Sequence, residues 1–365
     1  MSIQSTHRPG RPRPALSRRA LLAGTAAGAV GLSLAACGKS KKNGSQADSK
    51  TVTVVTHDSF HVSEDLQKAF TSETGYTLKI ATSGDAGALV NKLVLTKDAP
   101  LGDAVFGIDN TYATRALDQG VIDTSATVTL PKGAESYVVA DTPALAPIDV
   151  GDVCLNIDTG YFTGKGLTPP ATFEDLTKPE YKGLLVAINP TNSSPGMAWL
   201  LATIGHFGAG SFAGYWKQLM ANGARIAEDW SAAYETDFSG SGKGTYPIVV
   251  SYASSPSFTV SKDKSSSTTS ALLDTAFRQV EYAGVLKGAA NPEGGKAFVT
   301  WMLSKAVQED IPGQMYMYPV LPDAALPEAL TKFGPLSKSP VKVDPKEITT
   351  HREEWLNTWT EAVGK

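Results

Sequence analysis

Histidine side chains are the first candidates for metal binding or acid–base chemistry, and this chain has five of them. His57 and His61 stand four residues apart, but Asp-Ser-Phe lies between them, without the glutamate of an H-E-x-x-H zinc site. The pair also follows a β-branched run instead of lying on a helix. With so few histidines, the sequence predicts no metal site.

Nucleophile and phosphate motifs are also incomplete. No G-x-S-x-G turn of a serine hydrolase is present. Residues 239–244, SGSGKG, resemble a phosphate-binding loop, but Gly244 stands where Ser or Thr should hold magnesium, and Asp237 replaces the first glycine. Cys154 has no second cysteine or base near it and is predicted to be a small buried apolar residue. We therefore expect no catalytic residues and no cofactor, which favours binding over catalysis.

Any binding residues need a framework, and the body of the chain alternates short strands and helices. Predicted strands are 51–56, 76–81, 103–108, 150–156, 184–188 and 247–252, and predicted helices include 64–74, 88–95, 111–119, 196–207, 212–221 and 347–363. This alternation predicts an α/β fold with a mostly parallel sheet, whose ligands bind at the carboxyl ends of strands. Trp301, Trp355 and Trp359 lie at helical spacing and are predicted core anchors, and 261–270 is predicted to be a surface loop.

The N-terminal segment is predicted to be an export signal. Residues 1–36 hold five arginines and no acid, and they end in an uncharged run, 20–36, that is short for a membrane span. Residues 17–22, SRRALL, resemble a twin-arginine signal, with Sec export as the alternative. Residues 34–38, LAACG, resemble a bacterial lipobox, which implies lipidation of Cys37 and leaves 37–50 as a flexible tether.

The charge balance excludes one class of partner. The chain has 33 Lys+Arg and 36 Asp+Glu, a formal net charge of −3. Without residues 1–36, 28 basic and 36 acidic residues remain, a net charge of −8. Neither balance has the positive excess that neutralises phosphates, so no nucleic-acid partner is expected.

Eight motifs in order along the body carry a resemblance to a known family. They are VVTHDSF (54–60), SGDAG (83–87), GIDN (107–110), PIDVG (147–151), NSSPG (192–196), DWSAAY (229–234), VSYASSP (250–256) and IPGQMYMYPV (311–320), followed by a terminal helix with Arg352, Trp355 and Trp359. Together they resemble periplasmic thiamine-binding proteins, the substrate-binding components of thiamine ABC transporters.

The resemblance implies a two-lobed, type II periplasmic-binding-protein-like fold. Each lobe would be a mostly parallel sheet flanked by helices, with the ligand in the cleft between lobes. By analogy, lobe 1 takes residues 51–146 and 274–320, and lobe 2 takes 147–273 and 321–365. Residues 148–153 and a segment near 279–284 would cross between them.

The resemblance also implies a function. The protein would be a monomeric lipoprotein, anchored through Cys37 to the outer face of the cytoplasmic membrane. It would capture thiamine, and also thiamine phosphates, and deliver them to the permease subunits of an ABC transporter. It would not be an enzyme.

A flat cationic ligand needs a carboxylate and aromatic faces, which the matching positions offer. Asp85 would face the thiazolium or accept from the aminopyrimidine, and Trp230, Tyr234, Tyr252 and Tyr316 would form a ring-stacking wall. Helix capping is the alternative for Asp85, and buried packing is the alternative for Tyr234.

The opposite end of the ligand carries a hydroxyl or a phosphate. Ser193 and Ser194 precede a helix, and their hydroxyls, with the first free amides, would receive that end. Plain helix capping is the alternative for this pair.

Two positions depart from the family pattern. His57 stands where the family has Tyr, and Tyr316 stands where it has Trp. Both side chains can still stack, but a protonated His57 would repel a cation. A receptor of the same fold for ferric iron, a polyamine or an aminophosphonate therefore stays open, as does a thiaminase-like enzyme with Cys154 as nucleophile.

Overall fold

A computed structural model describes residues 50–241 and 243–364, which belong to one compact unit, Ala47–Lys365. The predicted export signal at 1–36 lies outside the described residues. Cys37 and the predicted tether, apart from Lys50, lie outside them too.

The described residues form nine strands and ten α-helices, joined by short 3₁₀ and π-helical turns. The strands are β1 (Thr51–Thr56), β2 (Thr77–Thr82), β3 (Ala104–Asp109), β4 (Ala146–Asp158), β5 (Leu185–Ile188), β6 (Arg225–Ala227), β7 (Ile248–Tyr252), β8 (Thr269–Val285) and β9 (Tyr318–Pro319). The helices are α1 (Glu64–Thr74), α2 (Ala86–Leu95), α3 (Ala113–Asp118), α4 (Thr159–Lys165), α5 (Ser194–Phe207), α6 (Phe212–Ala221), α7 (Pro292–Met302), α8 (Lys305–Gln314), α9 (Glu328–Phe333) and α10 (Pro345–Val363).

One sheet runs through the described part of the chain in the order β2-β1-β3-β8-β4-β7-β5-β6, with β9 added beside β4. At one end β1 is parallel to β2 and β3, and at the other β5 is parallel to β6 and β7. In the middle, β8 and β4 run antiparallel to their neighbours. Parallel pairs need crossover connections, which the helices supply. The predicted α/β class is confirmed, with antiparallel pairing confined to the centre.

The two central strands are longer than the sequence predicts. β4 has 13 residues and β8 has 17, because charged residues such as Asp149 and Glu281 interrupt the apolar run without ending the strand. The first residues of β4 pair with the C-terminal half of β8, which also pairs with β3. The last residues of β4 pair with β7. The proposed crossing segments lie within these strands. The lobe boundaries themselves stay a prediction.

Helix-end signals in the sequence agree with the structure. α1 begins at Glu64 and ends at Thr74, and Gly75 follows with a φ of 75°, where its amide binds the Thr71 carbonyl. α3 is shorter than predicted, because the Asp109 carboxylate accepts from the amide and hydroxyl of Thr111 and holds that residue in a turn before the helix.

The predicted core tryptophans are buried. Trp301, Trp355 and Trp359 are 6%, 5% and 1% exposed. Trp359 meets Trp216 edge-on, with ring centroids 5.6 Å apart, so the terminal helix α10 is fixed against α6. The predicted surface loop 261–270 also agrees, except that its last two residues begin β8.

The described helices also bear on membrane crossing. Across residues 50–241 and 243–364, none combines the length and the apolar character that a bilayer span requires.

Candidate functional site

A cavity of about 400 Å³ opens beside the loops that follow β1, β2, β5 and β7. Small-molecule sites have volumes of about 300–1,000 Å³, and this cavity lies within that range. Its position is where ligands of α/β sheets bind. Six of the eight predicted site residues line it: His57, Asp85, Ser194, Trp230, Tyr252 and Tyr316. Ser193 and Tyr234 lie behind that lining.

Asp85 joins three loops at the edge of the cavity. Its Oδ1 accepts from the amides of Ala86 (2.6 Å) and Ser194 (3.2 Å), and its Oδ2 accepts from the Trp230 amide (3.3 Å). Burial raises the pKa of Asp85, whereas hydrogen bonds from the Ser193 hydroxyl and these amides lower it, and the net change is a rise. The residue is therefore both the cap of α2 and a carboxyl group at the cavity.

The indole of Trp230 forms an aromatic wall. Its Nε1 donates to Ser251 Oγ at 3.0 Å, and Ser251 Oγ lies 2.9 Å from Ser255 Oγ. Tyr234 stacks on the indole from behind, with centroids 5.0 Å apart and planes 11° from parallel. Tyr234 belongs to a π-helical turn, Ala232–Asp237, that follows Trp230. The wall that faces the cavity is therefore Trp230, and Tyr234 holds it in place.

The serine pair at the start of α5 is engaged within the protein. Ser194 Oγ donates to Asp109 and accepts from Gln279 Nε2 at 2.8 Å. Ser193 is fully buried and caps α5 by accepting from the Gly196 amide at 3.4 Å. Burial raises the pKa of Asp109 to about 6, although hydrogen bonds from Ser194 and Thr111 lower it. These contacts favour the capping alternative for Ser193 and engage the Ser194 hydroxyl within the protein.

The first amides of α5 are also occupied. The Ser194 amide binds Asp85, Pro195 has none, and the amides of Gly196 and Met197 bind Ser193. A phosphate would therefore find no free donor at this helix start, contrary to the expectation that free amides would receive it.

Two tyrosines complete the sides of the cavity. Burial raises the pKa of Tyr252 well above its usual value, and nearby carboxyl groups, foremost Glu281, raise it further, so it is a neutral phenol. Gly151 in β4 leaves space for it, because a Cβ there would lie 3.1 Å from Tyr252 Cδ1. Tyr316 is 39% exposed, adopts a φ of 66°, and its ring contacts that of Phe258.

Sequence reasoning missed the charged floor of the cavity. Gln279 and Glu281 lie on the same face of β8, because they are two residues apart in a strand, and both line the cavity. His57 Nε2 lies 3.2 Å from Glu281 Oε1. Polar residues at alternate positions of an otherwise apolar strand were the available signal.

The charged side chains of the cavity lining are mostly acidic. Asp58, Asp85, Glu235 and Glu281 are at the cavity, and within the described part of the chain its lining includes no lysine or arginine. Those same residues contain no cluster of three or more histidine, cysteine, aspartate or glutamate side chains placed to hold a metal ion. The arrangement fits a cationic ligand with a flat ring.

Comparisons with known proteins agree with the sequence motifs. The family described as bacterial extracellular solute-binding protein matches residues 103–334. The thiamine-binding periplasmic proteins of Salmonella typhimurium and Escherichia coli are each 27% identical to this chain, over 326 and 324 residues, which cover 86% of this chain and 94% of each relative. A solved periplasmic thiamin binding protein superposes with a TM-score of 0.75 at 25% identity, covering 86% of this chain and 96% of that one. The resemblance and the fold class predicted from the motifs are confirmed.

Proposed function

This chain belongs to the bacterial extracellular solute-binding proteins, and on that premise we propose that it captures thiamine in the cavity beside Trp230. The relatives named for thiamine binding support this ligand. In our proposal, the protein closes on thiamine outside the cytoplasm and hands it to the permease subunits of an ABC transporter.

One observation carries the proposal most directly. A flat aromatic face, Trp230, stands in a cavity whose titratable charged lining residues are four acidic residues and one histidine. The thiazolium of thiamine is a permanent cation on a flat ring. A cation over an aromatic face gains about 0.5–2 kcal/mol, depending on how far it is desolvated.

Thiamine phosphates are proposed as further ligands, with a changed orientation. Because the Ser194 hydroxyl donates its hydrogen bond to Asp109, it offers a ligand only an acceptor. We therefore assign the hydroxyethyl or phosphate arm to the open mouth near Tyr316, where solvent can hydrate it.

The enzymatic alternative has little support from Cys154. This thiol is fully buried in β4, away from the cavity lining, and burial raises its pKa far above the usual value. A nucleophilic cysteine needs access and a lowered pKa. We propose a binding protein and not a thiaminase.

Export, anchoring and oligomeric state rest on sequence alone. We propose an export signal at 1–36, lipidation of Cys37, anchoring to the outer face of the cytoplasmic membrane, and a monomer. Replacing Cys37 by Ala in cells should release the protein from the membrane fraction, with wild-type protein as control. A C37A protein that stays in that fraction would contradict the anchor.

The ligand is tested by what the full chain binds. Mass spectrometry of small molecules released from freshly purified protein should find thiamine or a thiamine phosphate. Titration with thiamine, ferric citrate, spermidine and 2-aminoethylphosphonate should give saturable quenching of tryptophan fluorescence with thiamine alone. Saturation by one of the other compounds, without a response to thiamine, would assign the receptor to that ligand.

A further inference from the structure

An ion pair lies on the floor of the cavity. His57, just after β1, and Glu281, in β8, approach within 3.2 Å, and their side chains are 9% and 7% exposed. Both residues line the cavity, so a ligand that reaches the floor meets this pair.

Packing fixes the imidazole in its place. Gly107 in β3 has a φ of 98°, and a Cβ at this position would overlap His57 Cδ2. The Phe106 ring packs against the imidazole with centroids 5.4 Å apart. The imidazole is therefore held beside Glu281.

The groups around His57 favour its protonated form. Burial lowers the pKa of His57, but the nearby acids, first Glu281 and then Asp85 and Asp58, together outweigh that effect, so the pKa lies above 6.5. These acids come from β8, the loop after β2 and the histidine's own loop. From β3, Phe106 and Gly107 lie against the ring, and Asp109, whose pKa burial raises to about 6, interacts with Glu281.

Asp149 limits the negative charge behind the pair. It is fully buried in β4 opposite Glu281, and neither of its oxygens accepts a hydrogen bond from a donor in residues 50–241 and 243–364. Burial, then the charge of Glu281, raise the pKa of Asp149 well above its usual value. Both effects favour the neutral form of Asp149.

Glu281 is the carboxylate left open to a ligand. The oxygens of Asp85 already accept from amides of three loops. Asp58 and Glu235 are exposed to solvent. Glu281 has the His57 imidazole as its ion-pair partner, and Asp149 lies opposite it where β4 pairs with β8. A ligand cation on the floor competes with the imidazolium for the Glu281 carboxyl group.

We propose that His57 is the cavity's own counter-cation, and that the charge of a cationic ligand replaces that of the imidazolium beside Glu281, while the imidazole stays in position and gives its proton to water. This step rests on the proposed function for the identity of the ligand. No covalent bond of the ligand changes, and the charge of the floor is the same before and after binding. Capture is then linked to pH, and weakens as the pH falls below the pKa of His57.

Calorimetry of the full chain with thiamine chloride tests this exchange. Titrations near pH 6 in buffers of different ionisation enthalpy should show release of about one proton per thiamine, and Kd should rise by up to about tenfold per pH unit below the pKa of His57. His57→Tyr removes the titrating group and keeps an aromatic ring, so proton release and the pH dependence of Kd should both disappear. His61→Gln, an exposed histidine outside the lining, is the matched control and should keep both.

Histidine NMR provides a readout that does not depend on the ligand. The His57 ring, identified by its loss in His57→Tyr, should titrate above 6.5 in the free protein. It should become neutral at pH 6 when thiamine is bound. A neutral His57 at pH 6 in the free protein, or tight thiamine binding without proton release, would overturn the exchange and leave the proposed function intact. No thiamine binding between pH 5.5 and 8.5 would overturn both.

Discussion

The cavity has two sides of different chemistry. One side, formed by β1, β8 and β4, contains His57, Glu281 and Asp149. The protonation states of these three side chains set the local charge. On the side of β7 and the π-helical turn, Trp230 is held by Tyr234 and Ser251. Its contribution to binding depends on the position of its ring. We therefore expect binding energy from the first side to change with pH, and that from the second side to be nearly constant.

The largest effect should come from Glu281→Gln, because it removes the only floor carboxylate left open to a cation. Loss of one partner of a buried charge pair costs about 2–5 kcal/mol, so thiamine affinity should fall by about 30-fold or more. Calorimetry at pH 7.5 measures the change. Glu180→Gln, at an exposed acid on the 3₁₀ turn Pro179–Tyr181, is the control and should bind as wild type does. Wild-type affinity of the E281Q protein would show that Glu281 does not contribute to thiamine binding.

Asp149→Asn should change the pH dependence of stability. A carboxyl group whose folded pKa is raised stabilises the fold at low pH, and that contribution is lost as pH rises from the unfolded value of 3.8 toward the folded value. The amide does not titrate. The free energy of unfolding of the variant, relative to that of wild type, should therefore rise by up to about 1.4 kcal/mol per pH unit within this window. Chemical denaturation between pH 4.5 and 8 measures the difference. A constant difference would show that Asp149 is ionised in the folded protein.

Trp230→Leu tests the aromatic side. Loss of the ring face should cost about 1–2 kcal/mol, a weakening of thiamine binding by roughly 5- to 30-fold. The loss should be the same at pH 6 and pH 8, unlike that of the floor variants. Trp230→Phe should retain part of the affinity. Binding by Trp230→Leu that is unchanged from wild type would place the ligand away from this wall.

Ser251→Ala should have the smallest effect, because it removes the acceptor that orients the indole of Trp230 and one hydroxyl contact with Ser255. A single neutral hydrogen bond contributes about 0.5–1.5 kcal/mol, so affinity should fall a few-fold. In the Trp230→Leu background the same substitution should have no further effect on Kd. An additive loss in the double variant would mean that Ser251 acts on the ligand directly.

Local signals in the sequence predicted much of this fold. The end of α1 at Gly75, strands β1, β2 and β3, and the core tryptophans follow from capping, β-branched runs and helical spacing, which neighbouring residues decide. The motifs also located most of the residues that line the cavity.

Features set by distant residues could not be predicted in this way. The contact of Asp149 with Glu281 depends on the register of β4 against β8, and the contact of His57 with Glu281 depends on how β3 and β8 pair. The hydrogen bonds of the Ser194 hydroxyl are to Asp109 and Gln279, which lie far away along the chain. Tyr234 contributes through its stacking on Trp230, which spacing alone does not show.

The central claim is that this cavity binds thiamine. Isothermal titration calorimetry of the full chain with thiamine at pH 7.5, after removal of any bound small molecule, tests it most directly. The account predicts one site with submicromolar Kd. The absence of saturable heat from protein whose fold is verified by circular dichroism would contradict it.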